Sequence, residues 1–265
     1  LAYDVVGGKA QRIEKHVRDG RKITHLIFDN PPNIADEPLA PRLSELVPVV
    51  VGSIYPTWSA FLKWYNGAVE GFTTPDEQIK RMAAELTAGK HTREAKLLAL
   101  FNFVADDIRY VNYTSGEWWL PNRPQHLLAK RQGDCDDKAM LLISLLGSVG
   151  IKASEVLVQT RQTNQPRILR DAKIAVPMFD HGIIYLPDEK GTGGRYLDAT
   201  SPQSRIGTVP SMDAGAVGLL IAEGGKPVMM PFGTASNHGV DASWTIELES
   251  DGAAKLSSKE NHLGD

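Results

Sequence analysis

The sequence predicts a mixed fold in which helices and strands occupy separate blocks of the chain. Segments rich in β-branched residues lie in the first fifty positions, apolar residues recur at helical spacing between 57 and 149, and a period of two returns after residue 154. Each period is typical of one type of element. The length of 265 residues suits one large domain or two smaller ones.

The composition excludes several classes of function. Hydrophobic residues make up 42% of the chain and charged residues 23%, as in ordinary globular proteins. The net charge of −3 argues against a nucleic-acid partner, because nucleic-acid-binding surfaces are basic. No apolar run reaches the roughly 18 residues of a membrane span. The single cysteine, Cys135, permits neither an internal disulfide nor a multi-cysteine metal site.

The first block is predicted to be β structure. Residues 21–28 and 47–54 are rich in aliphatic and β-branched side chains, and a strong turn sequence, Asp-Asn-Pro-Pro, occupies 29–32. About three strands are too few for an independent core. Because the chain also starts with leucine rather than methionine, we expect residues 1–50 to be the C-terminal part of an N-terminal β domain, within a piece of a longer protein.

Capping residues mark the starts of the predicted helices. Thr57, Thr92 and Asp134 each precede an apolar pattern of helical spacing, as helix N-caps do. The sequence Thr-Pro-Asp-Glu at 74–77 is interpreted as a capping box with proline at the first helical position. Residues 124–130 are predicted to form a short helix.

Strands are predicted again after the helical block. Residues 163–173 are polar and are predicted to form a loop, while Asp251-Gly252 is typical of a hairpin turn. The predicted strands are 155–160, 182–186, 195–199, 218–221, 243–248 and 253–257.

Cys135 stands where a reactive thiol would be placed. It begins the predicted helix 135–149, and the free N–H groups of a helix N-terminus carry about half a positive charge, which favours thiolate over thiol. The rest of this helix is apolar nearly all round, so we expect it to be buried and to support the thiol rigidly. The alternative interpretation is that Cys135 is a small core residue.

Two later segments supply candidate partners for the thiol. His181 opens one predicted strand and Asp198 closes the next, with a glycine-rich hairpin loop between them. If Leu186 pairs with Gly193, His181 lies opposite Asp198 on the same face, and the carboxylate can orient the imidazole toward a thiol. Alternatively, His181 is a surface residue and Asp198 belongs to the turn before Thr200, and a one-residue slip would separate them.

Three motifs together resemble those of the bacterial transglutaminase-like superfamily. Residues 131–142, Arg-Gln-Gly-Asp-Cys-Asp-Asp-Lys-Ala-Met-Leu-Leu, followed by Gly-Ile-Lys-Ala at 150–153, are similar to its nucleophile motif. Asp-His before an apolar strand at 180–181 resembles the histidine motif, and Tyr-Leu-Asp-Ala-Thr at 196–200 resembles the aspartate motif. The resemblance extends over roughly residues 55–222.

This resemblance implies an α+β, papain-like fold, with a helical half that carries Cys135 and an antiparallel sheet that carries His181 and Asp198. In the implied reaction Cys135 attacks a peptide or carboxamide carbonyl and His181 transfers the proton. Asp198 orients the imidazole, and the Cys135 N–H helps to hold the oxyanion. The resulting thioester is resolved by water or by an amine. Such chemistry needs no metal or organic cofactor.

The flanking segments resemble a particular bacterial arrangement, with a β-sandwich before the core and a β domain after it. The sequence Tyr-Pro-Thr-Trp at 55–58 is similar to the first junction. We therefore predict a transglutaminase-like catalytic core at 51–222 and the start of a C-terminal β domain at 223–265. Proteins of this arrangement are usually exported, so the resemblance also implies a periplasmic or otherwise exported location.

Three classes of function stay open at this point. The first is a hydrolase, a peptidase or amidase, with a protein or peptide substrate and water as the acceptor. The second is a true transglutaminase, in which a lysine amine is the acceptor. The third is a binding or scaffold module without turnover, which the complete triad disfavours. Hydrolysis is preferred over amine transfer because water needs no dedicated acceptor site.

Four further residues are weaker candidates for the site. Trp118 or Trp119 could line the acyl site or help to bind the oxyanion, because members of the family use an upstream side chain for this. Tyr110 and Gln125 are similar candidates. Core packing is the favoured alternative for the two tryptophans.

The acidic residues around Cys135 raise a separate question. Asp134, Asp136 and Asp137 could suggest a cation site, but consecutive helix positions point in different directions. A helix cap with solvated charges is therefore the favoured interpretation. Many relatives carry lysine where this chain has Asp136, so we expect a more acidic rim around the site.

Overall fold

A five-stranded antiparallel sheet packed against a helical half forms the centre of the computed structural model. The structure describes residues 1–30, 33–34, 37–112, 120–163, 165–188, 194–200, 202, 204–222, 225–233 and 239–263. The described helices are α1 (Leu43–Leu46), α2 (Trp58–Ala68), α3 (Glu77–Leu86), α4 (Arg93–Asn102), α5 (Pro124–Lys130), α6 (Cys135–Ser148) and α7 (Pro166–Asp171), with a π-helical segment (Phe103–Asp107) after α4. The described strands are β1 (Ala2–Val6), β2 (Arg12–Arg18), β3 (Arg21–Ile27), β4 (Val49–Ser53), β5 (Arg109–Tyr110), β6 (Gln132–Gly133), β7 (Ser154–Gln159), β8 (His181–Leu186), β9 (Arg195–Leu197), β10 (Val217–Leu220), β11 (Lys226–Met229), β12 (Gly239–Leu248) and β13 (Ala254–Leu263).

The central sheet has the strand order β11-β10-β7-β8-β9, and every neighbouring pair is antiparallel. Alternation along the strands gives it two apolar faces. On one face, Leu157 and Leu219 pack against Phe61 and Tyr65 of α2. On the other face, Val156 belongs to a separate cluster. The sheet is therefore covered on the side where α2 and α6 lie.

Helix α6 is the buried axis of the helical half. Every residue from Asp137 to Leu146 is buried, as its apolar pattern predicted. Its aliphatic side chains share one cluster with those of α3, α4 and α5 and with Ile184 and Leu186 of β8. The N-terminal end of α6 is thereby held against the sheet. None of the described helices is both long enough and apolar enough to cross a membrane.

Most predicted helix starts are confirmed. The side chains of Thr57, Thr92 and Asp134 each accept a hydrogen bond from a backbone N–H three residues further on. The predicted start of α3 is two residues too early, because Asp76 rather than Thr74 is the N-cap. A carboxylate satisfies the free N–H groups and also interacts favourably with the helix dipole, so it is the stronger cap.

The predicted loop at 163–173 is also wrong, because it contains α7. Ile168 of this short helix is buried against Val6 of β1 and Val51 of β4, and this burial outweighs the polar composition of the segment. Strand β11 was not predicted; it lies at the edge of the sheet and pairs only with β10 among the described strands. The hairpin around Asp251-Gly252 is confirmed, and both of its strands are longer than predicted.

The first fifty residues form two separate strand pairs. β2 and β3 form a hairpin, whereas β1 pairs with β4 across a long connection. The Arg167 side chain fastens this connection to α7, because its Nη1 donates to the carbonyl oxygens of Ser44, Glu45 and Val47. The predicted domain boundary at residue 50 falls within β4, and the domain boundaries stay predictions.

Gly182 is the position at which α6 and β8 come closest. A Cβ atom placed there would lie 1.9 Å from Asp136 Oδ1 and 3.3 Å from Asp136 Cα. A larger residue would have to push the first turn of α6 away from the sheet. The absence of a side chain at Gly182 therefore sets how near Cys135 lies to His181, the residue before it.

Replacing Gly182 by alanine is expected to lower the free energy of unfolding by about 1–3 kcal/mol, the usual cost of overpacking. Gly147→Ala in α6 is the matched control, because a Cβ there would meet no atom within 4 Å. We expect this control to stabilise the protein by up to about 1 kcal/mol, since alanine is the better helix former. Urea denaturation measures both changes, and equal stability of the two variants would contradict the close approach at Gly182.

Candidate active site

Two acidic residues hold the helix end that carries Cys135. Asp134 Oδ1 accepts a hydrogen bond from Asp137 N–H at 3.0 Å, and Asp137 Oδ2 accepts one from Asp134 N–H at 3.3 Å. Asp137 also accepts hydrogen bonds from the backbone and the side chain of Asn122. This reciprocal cap confirms the cap in the favoured interpretation of the acidic cluster, but the expected solvation of its charges is wrong, because Asp134 and Asp137 are buried. The cap fixes the position of Cys135, which is the first residue of α6.

His181 and Asp198 meet as the sequence predicted. His181 Nε2 lies 3.0 Å from Asp198 Oδ2, and both side chains are buried. The other carboxylate oxygen, Oδ1, accepts a hydrogen bond from Thr200 N–H at 2.8 Å. Asp198 therefore contacts the imidazole and holds the following turn at the same time, two roles that the sequence presented as alternatives.

The strand register behind this prediction is wrong by two residues. Leu186 pairs with Arg195 rather than with Gly193, so the connecting loop is two residues longer than expected. Contact between the rings of Tyr185 and Tyr196, which are directly opposed in the observed register, favours it. A shift of two residues leaves every side chain on its predicted face, which is why the pair still meets. Asp198 lies just beyond the end of β9.

The Cys135 thiol and the His181 ring line the same cleft and are close enough for each to shift the pKa of the other. Because Nε2 faces Asp198, Nδ1 is the ring nitrogen left for the sulfur. The structure thus brings the three residues of the predicted triad together, with the imidazole between the thiol and the carboxylate. Their catalytic role stays a prediction.

Burial and hydrogen bonding set the charges of these groups. Burial alone would lower the pKa of His181, but hydrogen bonds to Asp198 and Cys135 outweigh it, and the pKa is raised well above its ordinary value. Burial alone would raise the pKa of Asp198, but the hydrogen bond to His181 outweighs it and the pKa is lowered. An imidazolium–carboxylate pair is therefore favoured at neutral pH.

For the thiol, the sequence predicted a lowered pKa, whereas its surroundings in the structure favour a raised one. Burial and the neighbouring Asp136 raise the pKa of Cys135 to about 11, although the hydrogen bond to His181 acts in the opposite direction. The surroundings of the thiol therefore favour its neutral form, although its position at the start of α6 is that of a nucleophile.

Asp136 lies inside the site rather than on its rim. Its Oδ1 is buried beside Gly182 and has no hydrogen-bond partner among the described residues. Its carboxylate also interacts with the Cys135 thiol, and burial raises the pKa of Asp136 to about 6. Behind it, Glu155 accepts a hydrogen bond from the Tyr65 hydroxyl at 2.8 Å. Burial and then Asp136 raise the pKa of Glu155 well above its ordinary value.

A second carboxylate near the imidazole, that of Asp213, was not predicted. Its Oδ2 lies 3.7 Å from His181 Nε2, its side chain is fully buried, and its charge helps to raise the pKa of His181. Ligand-type atoms of His181, Asp198 and Asp213 all lie within 4.8 Å of one another, so this is where a metal ion could be held. Asp213 belongs to no motif, and only the tertiary structure brings it to the site.

Cys135 and His181 line a cleft of about 710 Å³. Tyr110 lines this cleft, and burial together with Cys135 raises its pKa to about 12. Gln125 is not among the described lining residues, whereas two amides that the sequence did not single out, Asn112 and Gln162, are. Trp118 and Trp119 lie outside the described residues, so their part in oxyanion binding stays a prediction. The aromatic rings of the described walls belong to Phe61, Trp64, Tyr65, Tyr110 and Phe179.

Comparison with known proteins supports the family that the motifs resemble. Residues 80–186 match the model of the transglutaminase-like superfamily, a range that includes Cys135 and His181 and ends before Asp198. None of the curated proteins matches this chain.

Two solved structures are similar to this chain. A "putative protease" from Parabacteroides distasonis is 16% identical with a TM-score of 0.61, over 87% of this chain and 42% of that one. A "putative cysteine protease" from Cytophaga hutchinsonii is 16% identical with a TM-score of 0.38, over 75% of this chain and 56% of that one. The family match and the first similarity together confirm the predicted α+β, transglutaminase-like fold class. This chain spans less than half the length of that protein.

The reactivity of Cys135 toward iodoacetamide is expected to rise with a midpoint above the free-thiol pKa of about 8.5, because burial and Asp136 disfavour the thiolate. Labelling rates between pH 5 and 11 measure the midpoint, and Cys135 is the only thiol in the chain. A midpoint at or below 8.5 would show that the helix N-terminus and His181 outweigh burial.

Replacing Asp198 separates its two contacts. Asp198→Asn keeps an oxygen for Thr200 N–H but presents an amide to His181. We therefore expect normal stability and alkylation of Cys135 that is slower by on the order of ten- to a thousandfold, the range for thiol–imidazole pairs. Asp198→Ala loses both contacts and is expected to lower stability by about 1 kcal/mol as well. Thermal unfolding and alkylation rates of both variants test this. An unchanged rate in Asp198→Asn would remove Asp198 from the site.

Proposed function

We propose that this chain is a cysteine-dependent enzyme that transfers the acyl group of a peptide or carboxamide to water through a thioester on Cys135. The position of Cys135 and His181 on the wall of a cleft of about 710 Å³, with Asp198 bound to the imidazole, carries this proposal. The superfamily match and the protease-like name of the Parabacteroides distasonis protein support a peptidase-like activity.

The reaction starts once the site has lost one proton, so that a Cys135 thiolate faces the His181 imidazolium. The thiolate attacks the carbonyl carbon, and the free N–H of Cys135 at the start of α6 donates to the oxyanion. As the C–N bond breaks, the imidazolium gives its proton to the leaving amine and a thioester remains. In the second half of the reaction His181 acts as a base, whereas in the first half it acted as an acid.

Water resolves the thioester with His181 as the base. The neutral imidazole takes one proton from water while the oxygen bonds to the thioester carbon. The C–S bond then breaks, releasing the carboxylic acid and restoring the thiolate–imidazolium pair. Asp198 stabilises the imidazolium through its hydrogen bond at 3.0 Å, and the buried charge of Asp213 acts in the same direction.

A mass-spectrometric screen of peptides, with and without an added primary amine, tests this proposal. Hydrolysis of a side-chain amide adds about one dalton, backbone cleavage splits the peptide with the addition of water, and a transglutaminase would instead add the amine. We expect hydrolysis, and we expect Cys135→Ser to lower its rate by about a thousandfold or more.

His181→Asn is expected to cause a comparable loss, because the thiol loses its proton acceptor. His91→Asn is the matched control, since His91 is an exposed histidine that does not line the cleft. Turnover that persists in the Cys135 variant, or losses of equal size in both histidine variants, would refute the assigned roles.

A further inference from the structure

The described part of the cleft wall is negatively charged beside aromatic rings. Asp134, Asp136 and Asp180 line it together with five aromatic side chains, and no lysine or arginine occurs among its described lining residues. Carboxylates and aromatic faces are the two kinds of group that bind organic cations in proteins. The only described lining residue that can carry a positive charge is His181, which already pairs with Asp198.

The three carboxylates are not equally available. Asp180 accepts hydrogen bonds from Thr160 N–H, Thr160 Oγ1 and Thr163 Oγ1, all between 2.7 and 2.8 Å. Asp134 is engaged in the cap of α6. Asp136 is different, because its side chain takes no part in the helix cap: Oδ1 is buried against Gly182, and the partly exposed residue lines the cleft beside the thiol.

The position of Asp136 works against ionisation of the proposed nucleophile. A carboxylate and a thiolate in contact repel each other, and the repulsion is strong where water is excluded. Burial disfavours the charged form of Asp136, and so do two acidic neighbours, Asp137 on the same helix and Glu155 on the sheet. The imidazolium of His181 is the attractive charge nearby. A positive group placed on Asp136 would offset the repulsion and favour the thiolate.

We propose that Asp136 binds a positively charged group of the substrate, an ammonium or guanidinium close to the carbonyl under attack, and that this pairing promotes ionisation of Cys135. The inference rests on the proposed function. It assigns the substrate class as a peptide or amide with a lysine, an arginine or a free amino group next to the reacting carbonyl. Neutral and acidic substrates leave the repulsion in place and react slowly.

Charged thiol reagents test the site without requiring turnover. Methanethiosulfonates with a trimethylammonium, a neutral methyl or a sulfonate group each modify a thiol, and Cys135 is the only one in the chain. The quantity to compare is the rate of the cationic reagent divided by the rate of the anionic reagent. We expect this ratio to be on the order of ten- to a hundredfold higher for the folded protein than for the same protein in urea, because charges interact strongly near a protein surface. Equal ratios in both states would overturn the proposal.

Asp136→Asn identifies the residue responsible. This nearly isosteric change is expected to bring the ratio in the folded protein close to the ratio in urea. Glu85→Gln, an exposed residue of α3 outside the cleft, changes the net charge equally and should leave the ratio unchanged. Equal effects of the two variants would mean that only the overall charge matters. The comparison between folded and urea-unfolded wild type stands even if Asp136→Asn does not fold.

Peptide turnover separates this inference from the proposed function. Matched amides with lysine, ornithine, norleucine or glutamate next to the reacting carbonyl, with free or acetylated amino termini, are compared in kcat/KM. We expect at least a tenfold preference for a cation, lost in Asp136→Asn. A cationic preference of the thiol reagents without turnover of any peptide would refute the proposed function alone. Turnover without charge preference would refute this inference alone.

Discussion

The contact between the N-terminal end of α6 and the start of β8 is the constraint on which the site depends. Gly182 leaves room for the first turn of α6, and the reciprocal cap of Asp134 and Asp137 holds that turn in shape. Because both elements are rigidly packed in one core, the thiol and the imidazole need no further support to stay in contact. A site built from two buried elements can keep its geometry while the cleft is empty.

The charge balance of the site follows from this close packing. Bringing α6 against β8 places a thiol, an imidazole and the carboxylates of Asp136, Asp198 and Asp213 within a small buried volume. Such groups cannot ionise independently. One cation on His181 is stabilised by the two carboxylates on its far side, while Asp136 on the near side opposes a thiolate. The charge on each of these groups therefore depends on the charges of the others.

Local sequence signals predicted the parts of the site that depend on neighbours in the chain. The cap at Asp134 and the all-round apolar pattern of α6 require only residues within a few positions, so both were correct. The face of the His181–Asp198 pair was also correct, because alternation has a period of two. The predicted register was wrong, because it depends on the length of the connecting loop and on the packing of Tyr185 on Tyr196, and the sequence of one strand alone determines neither.

The sequence by itself determined the succession of a β block, a helical block and a second β block, the buried helix behind Cys135 and the three residues of the candidate triad. Tertiary structure decided the rest, because it depends on groups far apart in the chain. Asp213 reaches His181 from the turn before β10, and Glu155 reaches Tyr65 across ninety residues. Burial of the thiol and the neighbouring Asp136 raise its pKa, opposite to the shift that the helix N-terminus suggested. Desolvation depends on the whole surroundings of an atom, and no local pattern contains that information.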